Sequence, residues 1–86
     1  MQPQSTLPPL SDAARAIQVG STYRHYKGHL YKIIGIARHS ETLEEMVVYQ
    51  ALYGEHGIWV RPLEMFLDVL TIDGKECPRF ALIRSH

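Results

Sequence analysis

Cysteine is almost missing from this chain. A single Cys77 in 86 residues excludes an intramolecular disulfide and a thiolate metal cluster within the chain. Lysine is scarce too, with three residues against six arginines. Nine basic and nine acidic side chains leave no net charge, so no broad field draws the protein onto nucleic acid or an anionic membrane. No apolar run approaches the roughly 20 residues of a membrane span. The N-terminus has neither the basic start nor the apolar core of a signal sequence, so the expected location is the cytoplasm, with no membrane partner. The length suits one domain, close to the smallest size at which a single hydrophobic core suffices, and nothing large is enclosed by it.

What is present is organised simply. Residues 1–10 carry Pro3, Pro8 and Pro9 among Gln, Ser and Thr, a composition expected to form a flexible arm. Residues 11–20 read as a short helix or extension: Ser11 is a good N-cap, Asp12 complements the helix N-terminus, Ala13, Ala14 and Ala16 favour helix, and Gly20 is placed to end it. From 21 to 86 the signals are those of one β domain. Strands are expected over 23–26 and 30–38, joined at Lys27-Gly28, with Gly35 marking a bulge or bend. In the second strand Leu30, Ile34 and Ile36 would share one face with Lys32, and Tyr31, Ile33, Gly35 and Ala37 the other.

Residues 46–53 are read as strand despite a competing helical stripe, because the Met-Val-Val-Tyr run is β-prone; Val47, Tyr49, Ala51 and Tyr53 then lie on one face. A turn at 54–57 returns the chain into a strand over 58–61, and Pro62 ends it and opens a helical turn at 63–66 that can lay Met65 or Phe66 over one end of the sheet. Asp73-Gly74 is the clearest hairpin turn, between strands over 68–72 and 75–83. The expectation is a mostly β fold: an SH3-like small barrel of five or six short antiparallel strands, with one helical turn after Arg61 and a short N-terminal helix.

Four arginines sit in segments crowded with aromatics, histidine or proline: Tyr-Arg-His-Tyr-Lys-Gly at 23–28, Ala-Arg-His-Ser-Glu-Thr at 37–42, Trp-Val-Arg-Pro-Leu-Glu-Met-Phe at 59–66 and Pro-Arg-Phe at 78–80. Together with Val-Val-Tyr-Gln-Ala-Leu-Tyr-Gly at 47–54, these segments resemble the bacterial domain-of-unknown-function family 1653, from about residue 20 to 83. The resemblance implies a small, mostly β, SH3-like domain and names no activity.

Guanidinium beside aromatic faces suits planar anions and π systems, since it donates a fixed fork of hydrogen bonds and stacks at low desolvation cost. The candidate ligand-binding residues are Tyr23, Arg24, His25 and Tyr26 in the first strand, Arg38 and His39 after the second, Tyr49 and Tyr53 in the third, then Trp59, Arg61 and Arg79. Parity puts Trp59 and Arg61 on one face. The competing reading packs the aromatics into the core and pairs the arginines with Glu41, Glu44, Glu45 or Glu64.

Ser40, His39 and Glu41 supply the residue types of nucleophilic catalysis, and His39 with Arg61 would serve a small hydrolase of nucleotide-like or phosphorylated compounds. Adjacency in sequence argues against it, and a turn capped by Ser40 or Thr42 is the simpler account. No histidine pair among His25, His29, His39 and His56 has a known ligand spacing, so neither a metal nor another cofactor is expected. His86 is expected to be solvated. The preferred function is a non-enzymatic module binding a small anionic ligand, a peptide, or a nucleotide or short nucleic acid. A structural domain docking through Leu63, Met65 and Phe66 is the other alternative, and a homodimer stays open.

Overall fold

The computed structural model describes residues 7–85, so the first six residues of the expected arm and His86 lie outside the described residues. The elements in chain order are α1 (Asp12–Arg15), β1 (Thr22–His25), β2 (Leu30–Arg38), β3 (Glu45–Ala51), β4 (Ile58–Pro62), α2 (Leu63–Phe66), β5 (Val69–Ile72), β6 (Lys75–Pro78) and β7 (Phe80–Arg84). All strand pairs are antiparallel. They form a five-stranded sheet in the order β4-β3-β2-β1-β7 and a separate ribbon, β5-β6.

The fold is mostly β as expected, but hydrogen bonding leaves the sheet open, with β4 and β7 as its edges, rather than closed into a barrel. The strands number seven instead of five or six because 75–83 divides. Pro78 has no N–H to continue a ladder, and Arg79 turns its backbone to two different partners: its N–H donates to the Asp68 carbonyl at 2.8 Å and its carbonyl accepts from Tyr26 N–H at 2.9 Å. The β5-β6 turn follows its sequence signal, since Asp73 and Gly74 both take positive φ, 52° and 78°, as a type I′ turn demands.

One face of the sheet carries the core. Ile33, Val47 and Phe66 are fully buried, each contributing about 1.5–3 kcal/mol by burial. Phe66 reaches down from α2, stacking on Phe80 with centroids 4.3 Å apart and meeting Tyr23 edge-on at 5.3 Å. Leu63 and Phe66 are therefore core residues at 7% and 1% exposure, which removes the docking rim expected at Leu63, Met65 and Phe66; only Met65 faces outward.

Gly35 does mark a bulge, and the bulge changes what the sequence parity implied. The β2-β3 register shifts between Ile33↔Tyr49 and Gly35↔Val48. With one residue inserted, side chains beyond it change faces. Ile33 and Ile36 consequently both pack into the core, whereas Ile34 is exposed.

The N-terminal helix is shorter than expected, ending at Arg15 with Ala16 as C-cap, while Gly20 instead shapes the turn into β1 by donating to the Ile33 carbonyl at 2.8 Å. Four residues do not make a stable helix alone. Docking supplies the rest: Ala14 and Ile17 are buried in the core, and Ser11 donates both its backbone N–H (2.7 Å) and its hydroxyl (2.6 Å) to the Glu45 carboxylate while its oxygen caps Ala14 N–H at 3.1 Å. Arg38 donates to the carbonyl of Pro8.

Candidate binding site

Where β2, β3 and β4 run side by side, their inner-face residues, with Tyr53 from the turn after β3, leave a hollow of about 210 Å³ lined by Tyr31, Tyr49, Tyr53, Trp59 and Arg61. The register explains the gathering. Tyr49 lies opposite Trp59, Val47 opposite Arg61, and Tyr31 opposite Ala51, so alternate residues of three adjacent strands project together. Tyr49 is buried, at 5% exposure, and Trp59 stands at the open edge, at 58%.

Arg61 is held from two sides. Its Nε donates to the Tyr49 hydroxyl at 3.2 Å, and its guanidinium carbon lies 5.6 Å from the centre of the Phe80 ring. Among the described residues no carboxylate lies within salt-bridge distance of it, and neither terminal NH2 has a protein acceptor. The tyrosines are tied to one another: the Tyr31 and Tyr53 hydroxyls are 2.7 Å apart, and burial with that bond pushes the Tyr31 phenol up to about 12, so it stays neutral. His29 stacks on Tyr53 at 4.2 Å.

His25 adjoins this group, edge-on to Phe80 at 4.9 Å and to Tyr31 at 6.4 Å. Burial lowers its pKa, and the charges of Arg61, Arg79, Lys27 and His29 lower it further. Its Nδ1 accepts Lys27 N–H at 3.2 Å, which suits the neutral ring. The local potential is thus positive in a protein of zero net charge.

The four arginines do not converge. Arg61 alone enters the hollow. Arg24 is exposed on the outer face opposite Leu30 and Ala81, and Arg38 holds the N-terminal segment. Arg79 is engaged with Asp68 at 3.4 Å, and its buried Nε has no hydrogen-bond partner. Of the expected aromatics, Tyr49, Tyr53 and Trp59 line the hollow. Tyr23 packs in the core against Phe66, and Tyr26 lies over His25 at 4.5 Å, with the Lys27 ammonium 5.8 Å from its ring. Tyr31 is the lining residue that the sequence reading did not select, although its shared face with Ile33 was the available signal.

His39 sits in the turn after β2. Its Nδ1 accepts the backbone N–H groups of Glu41 (3.1 Å) and Thr42 (3.3 Å), and the Thr42 hydroxyl accepts Glu44 N–H at 3.1 Å. The imidazole lone pair that a general base would use is thereby occupied in shaping the turn, and Ser40 and Glu41 are exposed beside it. Cys77 is half-buried, with its thiol near the Pro78 carbonyl at 3.6 Å. Among the described residues no three His, Cys, Asp or Glu side chains gather as metal ligands, and no helix is long and apolar enough to cross a membrane.

An open antiparallel sheet whose inner face holds an arginine with no ion pair among the described residues, set among aromatic rings, defines a small β fold with a polar, aromatic-walled hollow. Residues 21–82 match the family described as protein of unknown function (DUF1653), and the chain belongs to that family. It is similar to the crystal structure of a DUF1653 protein from Bordetella bronchiseptica, at 36% identity over 83% of this chain and 92% of that one, with a TM-score of 0.73. No curated protein matches the chain.

Proposed function

We propose that this protein is a small non-enzymatic binding module whose hollow at Arg61 takes a planar or anionic group, carried by a peptide, a nucleotide or a short nucleic acid. The observation that carries the reading is the state of Arg61: a guanidinium anchored through Nε, faced by aromatic rings, with its two terminal NH2 groups free of acceptors among the described residues. A fork prepared in this way accepts a carboxylate or phosphate in bidentate fashion without first breaking an internal ion pair. In this reading the fold is an opened SH3-like barrel that uses one aromatic-rich face for its ligand.

Trp59 is the single tryptophan, so intrinsic fluorescence reports on the wall of the hollow directly. Titration with nucleoside monophosphates, aromatic carboxylates and acidic peptides is expected to change Trp59 emission for at least one class. In Arg61→Ala the affinity for that probe is expected to fall at least tenfold, while thermal unfolding stays near that of the parent. A probe that binds parent and Arg61→Ala equally well removes the proposal.

A further inference from the structure

The sheet has two edges, and they are protected differently. On β7 an extra residue, Ile83, interrupts the register against β1 between Thr22↔Arg84 and Tyr23↔Leu82, and the strand ends in the charged Arg84. Bulges and charges of this kind discourage edge-to-edge pairing. β4 also ends in a charge and a proline, Arg61 and Pro62, but Arg61 is turned into the hollow, and the Ile58-Trp59-Val60 stretch before them has neither bulge nor charge, with side chains 62%, 58% and 56% exposed.

The direction of the free backbone groups on β4 follows from its ladder. Ala51 N–H donates to the Gly57 carbonyl at 2.9 Å, which makes this a hydrogen-bonded pair in the same register as Tyr49↔Trp59 and Val47↔Arg61. Hydrogen-bonded and non-hydrogen-bonded pairs alternate in an antiparallel ladder. Positions 57, 59 and 61 are therefore turned toward β3, and the N–H and C=O of Ile58 and Val60 point out from the edge.

We infer that β4 pairs with β4 of a second copy of this chain, antiparallel about a two-fold axis at Trp59. In that register Ile58 lies opposite the partner's Val60, and Val60 opposite the partner's Ile58. All four outward N–H groups then find carbonyls, giving four hydrogen bonds across the axis. Moving the axis to Val60 sets Ile58 against the partner's Pro62, a pair that keeps one hydrogen bond rather than two because the proline has no N–H.

Charge is compatible with it. Each Arg61 lies across from the partner's Gly57, with the acidic partner's Glu55 two residues further along. The two Arg61 backbones are offset by four residues, about 14 Å along the strands, beyond a Debye length of about 8 Å at physiological salt. Zero net charge adds no repulsion between copies. The pairing buries three apolar side chains per copy and little else, which places it at the small end of specific interfaces, below about 1,200 Å² in total, and makes it a reversible dimer. It joins two five-stranded sheets, with both hollows opening on one face and a Trp59 from each copy at the seam.

Sedimentation equilibrium from micromolar to millimolar protein, with amide hydrogen exchange followed by NMR over the same range, tests this. Expected is a monomer–dimer equilibrium in which the Ile58 and Val60 amides gain protection as concentration rises, while Trp59 and Arg61 amides are protected throughout. Ile58→Lys places a charge on an already exposed position and is expected to give a monomer at every concentration with unchanged circular dichroism. Val60→Pro removes an N–H that β3 does not use and is expected to do the same. A parent that stays monomeric to millimolar concentration overturns the inference. So does a dimer that survives Ile58→Lys, or protection of Ile58 and Val60 that arises only on adding an extended peptide, which would assign the edge to another chain.

Discussion

Two hollows of similar size lie at the two ends of β3. Near its start, Glu44, Glu45, Leu63 and Glu64 line about 160 Å³, and near its end Tyr31, Tyr49, Tyr53, Trp59 and Arg61 line about 210 Å³. One is acidic and the other cationic, yet charge is not the difference that matters. Glu45 is committed: it accepts two hydrogen bonds from Ser11, and those bonds, with Arg38 nearby, hold its carboxyl below the usual carboxylate range. Arg61 is positioned but uncommitted. Through Glu45 the first end holds the protein's own N-terminal segment, and under the proposed function the second end receives the ligand. Hydrogen-bonding capacity that is consumed within the fold, as at Glu45, is not available to a ligand.

The sharpest way to break this contrast is to attack the docked segment. Ile17→Ala opens a cavity under it and is expected to cost about 2–4 kcal/mol, read as a lower urea midpoint, because Ile17 is buried in the core. In the fraction that remains folded, Trp59 is expected to respond to ligand as in the parent. Loss of that response in folded Ile17→Ala would show that the two ends are coupled rather than separate.

Ser11→Ala removes both the helix cap and one bond to Glu45, for a loss of about 1 kcal/mol. Its pH dependence has a defined sign. The folded-state pKa of Glu45 is depressed, so the contribution is complete above the ordinary carboxylate value and is lost as pH falls through the depressed one. The stability gap between parent and Ser11→Ala, measured by denaturant at several pH values, is expected to narrow on acidification. A gap that stays constant would mean the carboxylate contributes nothing.

The smallest effect is the most specific to the cationic end. The neutral state of His25 is favoured first by burial and then by Arg61, so the unfolded chain takes up this proton before the folded one, and His25 subtracts stability as pH falls below the ordinary histidine range. Arg61→Ala is expected to raise the His25 pKa in an NMR titration, and Arg38→Ala to leave it unmoved.

Much of the framework was readable from local chemistry. The Asp73-Gly74 turn, the bulge at Gly35, the Pro62 break and the shared face of Trp59 and Arg61 each follow from what one or two residues permit. The reading failed where a local event changed distant geometry. Ile36 changes faces because the bulge shifts its parity, and Leu63 joins Phe66 in the core, leaving no docking rim, because α2 folds back over the sheet.

The four arginine segments show the division most clearly. Composition, turn chemistry and strand periodicity determine on their own that this is a mostly β, antiparallel fold, because they act over a few residues, and the motifs mark its family. Which arginine is spent and which is free depends on partners far away in sequence: Asp68 for Arg79, the Pro8 carbonyl for Arg38, and the Tyr49 hydroxyl with the Phe80 ring for Arg61. Only the tertiary structure decides that, because hydrogen bonds and ion pairs are short-ranged and the fold alone brings their partners within reach.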